Sequence, residues 1–455
     1  MGLRGLLHNL PEVRAPTEKK VSFNVKLKWT LVILIGYFIL ANVPLFGIAA
    51  NSLSRFEYLA ILMGTSFGSI ISLGIGPIVM ASIILQLLNG AGILNIDTNT
   101  DEGKKFFQGM QKMLAFAFVI FEALVYVLMK GIAAEPGFTG LVILQLCLGG
   151  FLIIFMDEVI QKWGFGSGVS LFIAAGIGWR LFAQLFQFIG PTGGFEASGK
   201  VLAIVASVIV GDGTGVARAF FPILVTALLF LAVIFAQSLK VEIPLAFDRV
   251  RGHSVKWPLN FFYAGVMPVI FVSALAANVQ LFASMLQGWL GHATFLGGFG
   301  TGGQAISGMS FWIGSNPILE NIITGSFRWI FAVQAIGHVL FYTLFSVLFS
   351  MFWVNTSGQD ARSQANKIVN SGMSMPGFRK DERVLESILK RYVGPLTIMG
   401  GAAIGLLASV ANLLGALVGG TAILLAVMIL YQLYQNIAQQ HAVDMNPALK
   451  GFFGA

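Results

Sequence analysis

A chain of 455 residues that is 56% hydrophobic and 11% charged, with a mean hydropathy of +0.82, cannot clothe a soluble globule of its size, since soluble domains carry about 25% charged residues. Lipid must solvate it, with backbone groups satisfied inside helices; the alternating strands of about ten residues that build a membrane barrel are not seen. The net charge of +8 admits nucleic acid, anionic lipid or topology alone, and the single cysteine, Cys147, excludes an intrachain disulfide.

Residues 1–27 form an amphipathic segment with Leu3, Leu6, Leu7 and Leu10 on one side. It is expected to lie at the interface, and it lacks the apolar core of a cleavable signal peptide. Apolar stretches then predict ten spans, near 28–48, 74–92, 108–130, 138–160, 168–190, 217–240, 258–284, 329–354, 393–413 and 419–438. Before the second span, residues 51–68 are mildly apolar and contain Gly64, Ser66 and Gly68, and Leu73-Gly74-Ile75-Gly76-Pro77 opens the helix. Glycine breaks what precedes it and proline suits a first helical turn. The expectation is an outer half-helix, a break and a full span, and such a break requires surrounding protein or a water-filled cavity. Val201 to Val210 is too short to span and reads as a packed external or re-entrant piece. Residues 297–303 form a Gly-rich tip with no cation or nucleotide signature.

With the N-terminus in the cytoplasm, about 22 Lys and Arg fall on that side and about 6 on the other. Arg328 is the only Lys or Arg between Trp257 and Ala361. This bias orients the chain with both termini cytoplasmic, and it accounts for most of the positive charge. Ten spans divide into five and five, and an odd number per half inverts one half against the other. The expected divisions are a first half at 28–190, an external link at 191–216, a second half at 217–438 and a cytoplasmic tail at 439–455. Two cytoplasmic loops, 240–257 and 355–392, are longer than topology needs. Basic loops of this reach suit RNA phosphates, and topology and docking both remain open as explanations.

No Walker sequence, metal-spaced His or Cys set, or nucleophilic triad appears, so neither an enzyme nor a cofactor is expected. Of the five scattered histidines, His338 lies within a span and reads as a neutral ring bonded between helices. Glu122 sits mid-span, where an ionised carboxylate facing lipid would be costly, so it is expected to face the bundle interior or a cavity. Gln86 and Asn278 are the matching neutral groups. A proton relay needs a chain of ionisable partners that this membrane region does not offer, and a polar cluster between helices able to part is the preferred reading. Ile75 with Val79, and Val169 with Ile173, are spaced to share a helix face, although such pairs occur in almost every span.

The segments Leu73-Gly74-Ile75-Gly76-Pro77-Ile78-Val79, Gly166-Ser167-Gly168 followed by Leu171-Phe172-Ile173-Ala174-Ala175-Gly176, Val241-Glu242-Ile243-Pro244-Leu245-Ala246, Ala411-Asn412 and Gly419-Gly420-Thr421 occur in this order. Together they resemble the SecY family, the channel-forming subunits of the Sec protein translocon, over nearly the whole chain. Pro376-Gly377-Phe378-Arg379-Lys380 resembles its archaeal and eukaryotic branch. The resemblance implies an all-α polytopic membrane protein, with ten transmembrane helices in two pseudo-symmetric inverted five-helix halves around an hourglass pore. It implies a pore ring of Ile75, Val79, Val169, Ile173, Ile270 and Leu425. It also implies a plug near residues 56–66, with Phe56, Leu59, Leu62, Gly64 and Ser66, and a lateral gate between spans two and seven holding Gln86, Glu122 and Asn278. Met80 stands where some relatives carry a small polar residue. Arg249, Arg251, Lys256, Arg379, Lys380 and Arg383 would meet the ribosome and its RNA. Implied partners are the small SecE/gamma and beta membrane subunits, nascent polypeptides with signal sequences, membrane lipid and, indirectly, the signal-recognition-particle pathway.

The function implied is translocation of secretory polypeptides across the cell membrane and lateral release of apolar helices into it. The alternative is a secondary transporter with inverted repeats and a small solute at the midplane. It accounts for the ten spans, the broken second span and Glu122, but not for the long basic loops or the ordered motifs. A membrane enzyme lacks a catalytic cluster.

Overall fold

The computed structural model describes residues 11–17, 21–48, 68–90, 93–94, 96, 100–128, 132–188, 199–247, 254–300, 304–370, 373–374 and 382–445. In chain order the first helices are α1 (Phe23–Asn42), α2 (Gly76–Gly90), α3 (Asp101–Leu128), α4 (Thr139–Trp163), α5 (Gly168–Phe186), α6 (Lys200–Val210) and α7 (Gly213–Ser238). A hairpin of β1 (Lys240–Phe247) and β2 (Ser254–Asn260) follows, then α8 (Met267–Leu290), β3 (Gly298–Phe299), β4 (Ala305–Ser307), α9 (Met309–Ile313), α10 (Ile318–Ile323) and α11 (Trp329–Thr356). The chain continues through α12 (Ala361–Asn370), β5 (Met373–Ser374), α13 (Glu382–Leu413) and α14 (Gly420–Met445).

Among the described residues, nine helices are long and apolar enough to cross a membrane, namely α1, α3, α4, α5, α7, α8, α11, α13 and α14. The tenth expected span, 74–92, appears as α2. Its 15 residues reach about 22 Å, short of the roughly 30 Å hydrocarbon thickness. Successive turns over 68–75 lead into it, with Ile71, Ser72 and Leu73 fully buried. Ser72 satisfies that irregular backbone: its hydroxyl accepts from the Gly68 amide at 2.8 Å and donates to the Ser69 carbonyl at 2.6 Å. Broken backbone surrounded by protein is the form a membrane interior tolerates. The expected half-helix at 51–68 lies, apart from Gly68, outside the described residues.

The stretch 240–257, expected as a loop, is a β-hairpin whose register runs from Lys240 opposite Asn260 to Ala246 opposite Ser254. The period-two pattern explains it: Ile243 is buried between exposed Glu242 and Pro244. Pro258 sits on the edge strand β2, where no ladder donor is lost. The stretch 355–392, also expected as a loop, contributes α12, β5 on the free edge of β1, and the first turns of α13. Ile243 and Leu259 of the hairpin share a small apolar core with Ala365, Ile368, Leu385 and Leu389. The described parts of the two long basic stretches therefore build one folded body.

The large apolar core runs through α2, α3, α4, α5, α8, α11, α13 and α14. Of the spans, α8 is the most enclosed, 67% of its apolar stretch being buried, whereas for α1 the figure is 11%. The helix α8 thus lines the interior and α1 faces outward. Glycines let α11 and α13 approach closely: a Cβ on Gly405 would stand 2.7 Å from Thr343 Cα, and one on Gly401 2.5 Å from Ser350 Oγ. Small residues at such seams are the usual means of joining helices in lipid.

Candidate functional site

The N-terminal ends of four helices converge on one cavity. Ile75 comes from the turn just before α2, Val79 from the start of α2, Ile173 from α5, Ile270 from α8 and Leu425 from α14, and all five border a cavity of about 10 Å³. Such a volume is at the lower limit for a single water. Gly76, Ser273 and Ala274 complete its lining. The sixth predicted side chain, Val169, is buried one turn before Ile173 on α5 but does not border the cavity.

Buried polar groups hold the starts of two of these helices. Asp157, near the end of α4, is 6% exposed. Its Oδ1 accepts the Val169 amide at 2.9 Å and its Oδ2 accepts from Gln161 at 2.7 Å. Ser167 precedes α5 without a side-chain cap, so the carboxylate supplies the anion that a helix N-terminus favours. Gly168 permits the approach, because a Cβ there would lie 2.6 Å from Asp157 Cα. At α14, Asn412 donates to Thr421 Oγ1 at 2.6 Å and accepts the Thr421 amide at 3.0 Å. His338 of α11 lies 3.4 Å from the Asn412 amide through Nε2, while its Nδ1 meets the Ile313 carbonyl at 2.6 Å. Donation from Nδ1 and acceptance at Nε2 define one neutral tautomer. The turn before α14 carries Val418 at φ 59°, strained for a β-branched residue. Its amide donates to Gln184 Oε1 on α5 at 2.9 Å, and the Leu417 amide donates to Thr226 on α7 at 2.9 Å.

Gln86, Glu122 and Asn278 are each 2% exposed, on α2, α3 and α8. Asn278 Nδ2 donates to its own helix at Ala274. Gln86 Oε1, both Glu122 oxygens and Asn278 Oδ1 lack partners among the described residues, so no hydrogen bond joins the three to one another. A neighbouring pair does bond across helices, Gln111 Nε2 to Ser82 Oγ at 2.5 Å. The plug residues Phe56, Leu59, Leu62, Gly64 and Ser66 lie outside the described residues, as do Arg249, Arg251, Arg379 and Lys380. Lys256 is paired opposite Pro244 in the hairpin, and Arg383 opens α13. Among the described residues no three His, Cys, Asp or Glu cluster to hold a metal.

Asp157, Ser273, Gln184 and Thr226 escaped the reading of the sequence. An acid near the end of an apolar span was the one signal for Asp157; for the other three, polar residues among many, no signal existed. Asn412 and Thr421 stood out only as motif members.

The profile of the SecY family matches residues 69–434. The protein translocase subunit SecY of Methanothermobacter thermautotrophicus is 44% identical over 452 residues, covering 98% of this chain and 97% of that protein. Among solved structures, one described as a protein-conducting channel superposes with a TM-score of 0.84 at 35% identity, over 99% of both chains. Sec61 in a canine ribosome-channel complex from the endoplasmic reticulum superposes with a TM-score of 0.81 at 34% identity, again over 99% of both chains.

Proposed function

This chain belongs to the SecY family and is a protein-conducting channel, and we propose that the cavity between α2, α5, α8 and α14 is the waist of its pore. The observation that carries this is the convergence of five aliphatic side chains from four helices on a space about one water wide. A charged ring would select ions, whereas a narrow aliphatic collar gates by dewetting. Branched side chains also deform around whatever residue passes. Val79 and Val169 are the two smallest of the six side chains. Residues 56–66 form a plug as a second barrier on the outer side. The halves 28–190 and 217–438 part between α2 and α8, so that an apolar signal helix reaches lipid under its own hydrophobicity. Gln86, Glu122 and Asn278 set how readily they part. The membership in a channel family leaves no role for the small-solute alternative.

The termini and the body built on the β1–β2 hairpin and α12 face the cytoplasm, in accord with the distribution of Lys and Arg. There Arg249, Arg251, Lys256, Arg379, Lys380 and Arg383 meet ribosomal RNA, largely through charge and shape. The related canine channel, which sits in a ribosome complex, supports this reading. Small SecE/gamma and beta subunits are the expected membrane partners, and clients arrive with signal sequences by way of the signal-recognition-particle pathway.

The test is crosslinking of a stalled secretory chain in a Cys147→Ser background. Val79→Cys, Ile173→Cys and Ile270→Cys should each react with the chain. Leu344→Cys, on the outward face of α11 at 64% exposure, should not. Reaction at Leu344 with none at the other three would refute the waist.

A further inference from the structure

Among the described residues, one polar side chain borders the otherwise apolar waist. Ser273 stands one helical turn after Ile270 on α8, 2% exposed, and its hydroxyl has no hydrogen-bond partner among the described residues. Other helix hydroxyls here return their proton to the carbonyl four residues back: Ser82 to Ile78 at 2.9 Å, Thr226 to Pro222 at 2.7 Å, Thr397 to Val393 at 2.7 Å and Ser409 to Gly405 at 2.8 Å. That is the usual retreat for Ser and Thr inside a helix. The carbonyl of Val269 stands at the same spacing from Ser273, which does not use it. Thr343, Ser346 and Ser350, likewise without partners among the described residues, lie on α11 along its seam with Gly401 and Gly405 of α13 rather than at the cavity.

A resident water does not account for this hydroxyl. The space of about 10 Å³ is at the lower limit for one, and a buried water needs two to four polar partners. Among the described residues of the lining, Ser273 alone has a polar side chain. An extended polypeptide, by contrast, carries a donor and an acceptor on nearly every residue, and a hydroxyl can serve either. In an all-aliphatic collar each passing peptide group would lose its water and gain nothing in return. We infer that Ser273 is the polar contact of the waist, hydrogen-bonding the backbone of the polypeptide as it passes. The inference rests on the assignment of this cavity as the pore constriction.

The test uses the full chain in translocation-competent membranes and a single secretory substrate. Ser273→Thr keeps the hydroxyl, and Ser273→Val has the same shape without it. Threonine should preserve the translocation rate, and valine should slow it about five-fold, the effect of one ordinary hydrogen bond. Equal rates for the two would overturn the inference, as would a change confined to ion leak through the resting channel. With a stalled chain, Ser273→Cys and Ile270→Cys should both crosslink. Reaction at Ile270 without Ser273 removes the contact and leaves the waist standing; reaction at neither removes the waist itself.

Discussion

Asp157 shows how a single buried carboxylate holds the start of a helix on another element. It satisfies the Val169 amide where α5 has no cap of its own. Asp157→Ala orphans that amide and should cost about 1–3 kcal/mol in thermal unfolding in detergent. Asp157→Asn keeps an oxygen acceptor and should lose less; equal losses would show that the carboxyl oxygen does not cap α5. Asn412 and Thr421 are a reciprocal pair, and a double-mutant cycle between Asn412→Ala and Thr421→Ala should give a coupling of about 0.5–1.5 kcal/mol. Outside the membrane, Glu12 accepts from Lys162 at 2.5 Å, and Trp163 Nε1 donates to the Arg14 carbonyl at 2.9 Å. The Lys162 hydrogen bond holds the Glu12 carboxyl below its ordinary value of 4.5. A depressed carboxyl stabilises docking above the free value, and that contribution is lost as pH falls through the lowered one. Docking of residues 11–14 should therefore weaken below about pH 4.5, read as a change in Trp163 fluorescence, and Glu12→Gln should remove this pH dependence.

Between elements, close approach matters more than propensity. Gly405 lies where a Cβ would meet Thr343 Cα and the Tyr342 carbonyl at 2.7 Å, so the α11–α13 seam has no room for a methyl group. Gly178, inside α5, has nothing within 4 Å of that position. Gly405→Ala should destabilise by about 1–3 kcal/mol through overpacking. Gly178→Ala should stabilise by up to about 1 kcal/mol through helix propensity. Thermal unfolding in one detergent checks both signs, and a loss at Gly178 would mean that an unseen neighbour covers it. The hairpin carries a related lesson. Charge in 240–257 and 355–392 reads as loop, yet Ile243, Leu259, Leu385 and Leu389 find one another across more than a hundred residues.

At the scale of the whole channel, opening is a difference between two packings. Gln86, Glu122 and Asn278 are buried on α2, α3 and α8 with oxygens unpartnered among the described residues, and a packing that buries such oxygens is penalised relative to one that exposes them. Asn278→Leu removes one orphaned oxygen and should favour closure. The hydrophobicity threshold for membrane insertion should rise; an unchanged or lowered threshold would count against a gating role for Asn278. Ribosome docking is the other whole-molecule property. If basic loops bind phosphates, Arg249→Glu with Arg379→Glu should weaken binding most at low salt and flatten its salt dependence by about two phosphate contacts. Parallel salt curves for variant and parent would leave membrane topology as the sole role of these charges.

Sequence alone was enough for the class of this protein, since a run of twenty apolar residues has few fates and the ordered motifs resemble one family. It also singled out Ile75, Val79, Ile173, Ile270 and Leu425, through the resemblance rather than through spacing, because aliphatic pairs recur in every span. Only the tertiary structure decided that these five share a cavity while Val169 stands beside it, that α2 is short behind a buried turn, and that Asp157 reaches α5. The reason is physical: helix formation in lipid is dictated locally by hydrophobicity, whereas capping, cavity shape and glycine contact depend on which surfaces meet.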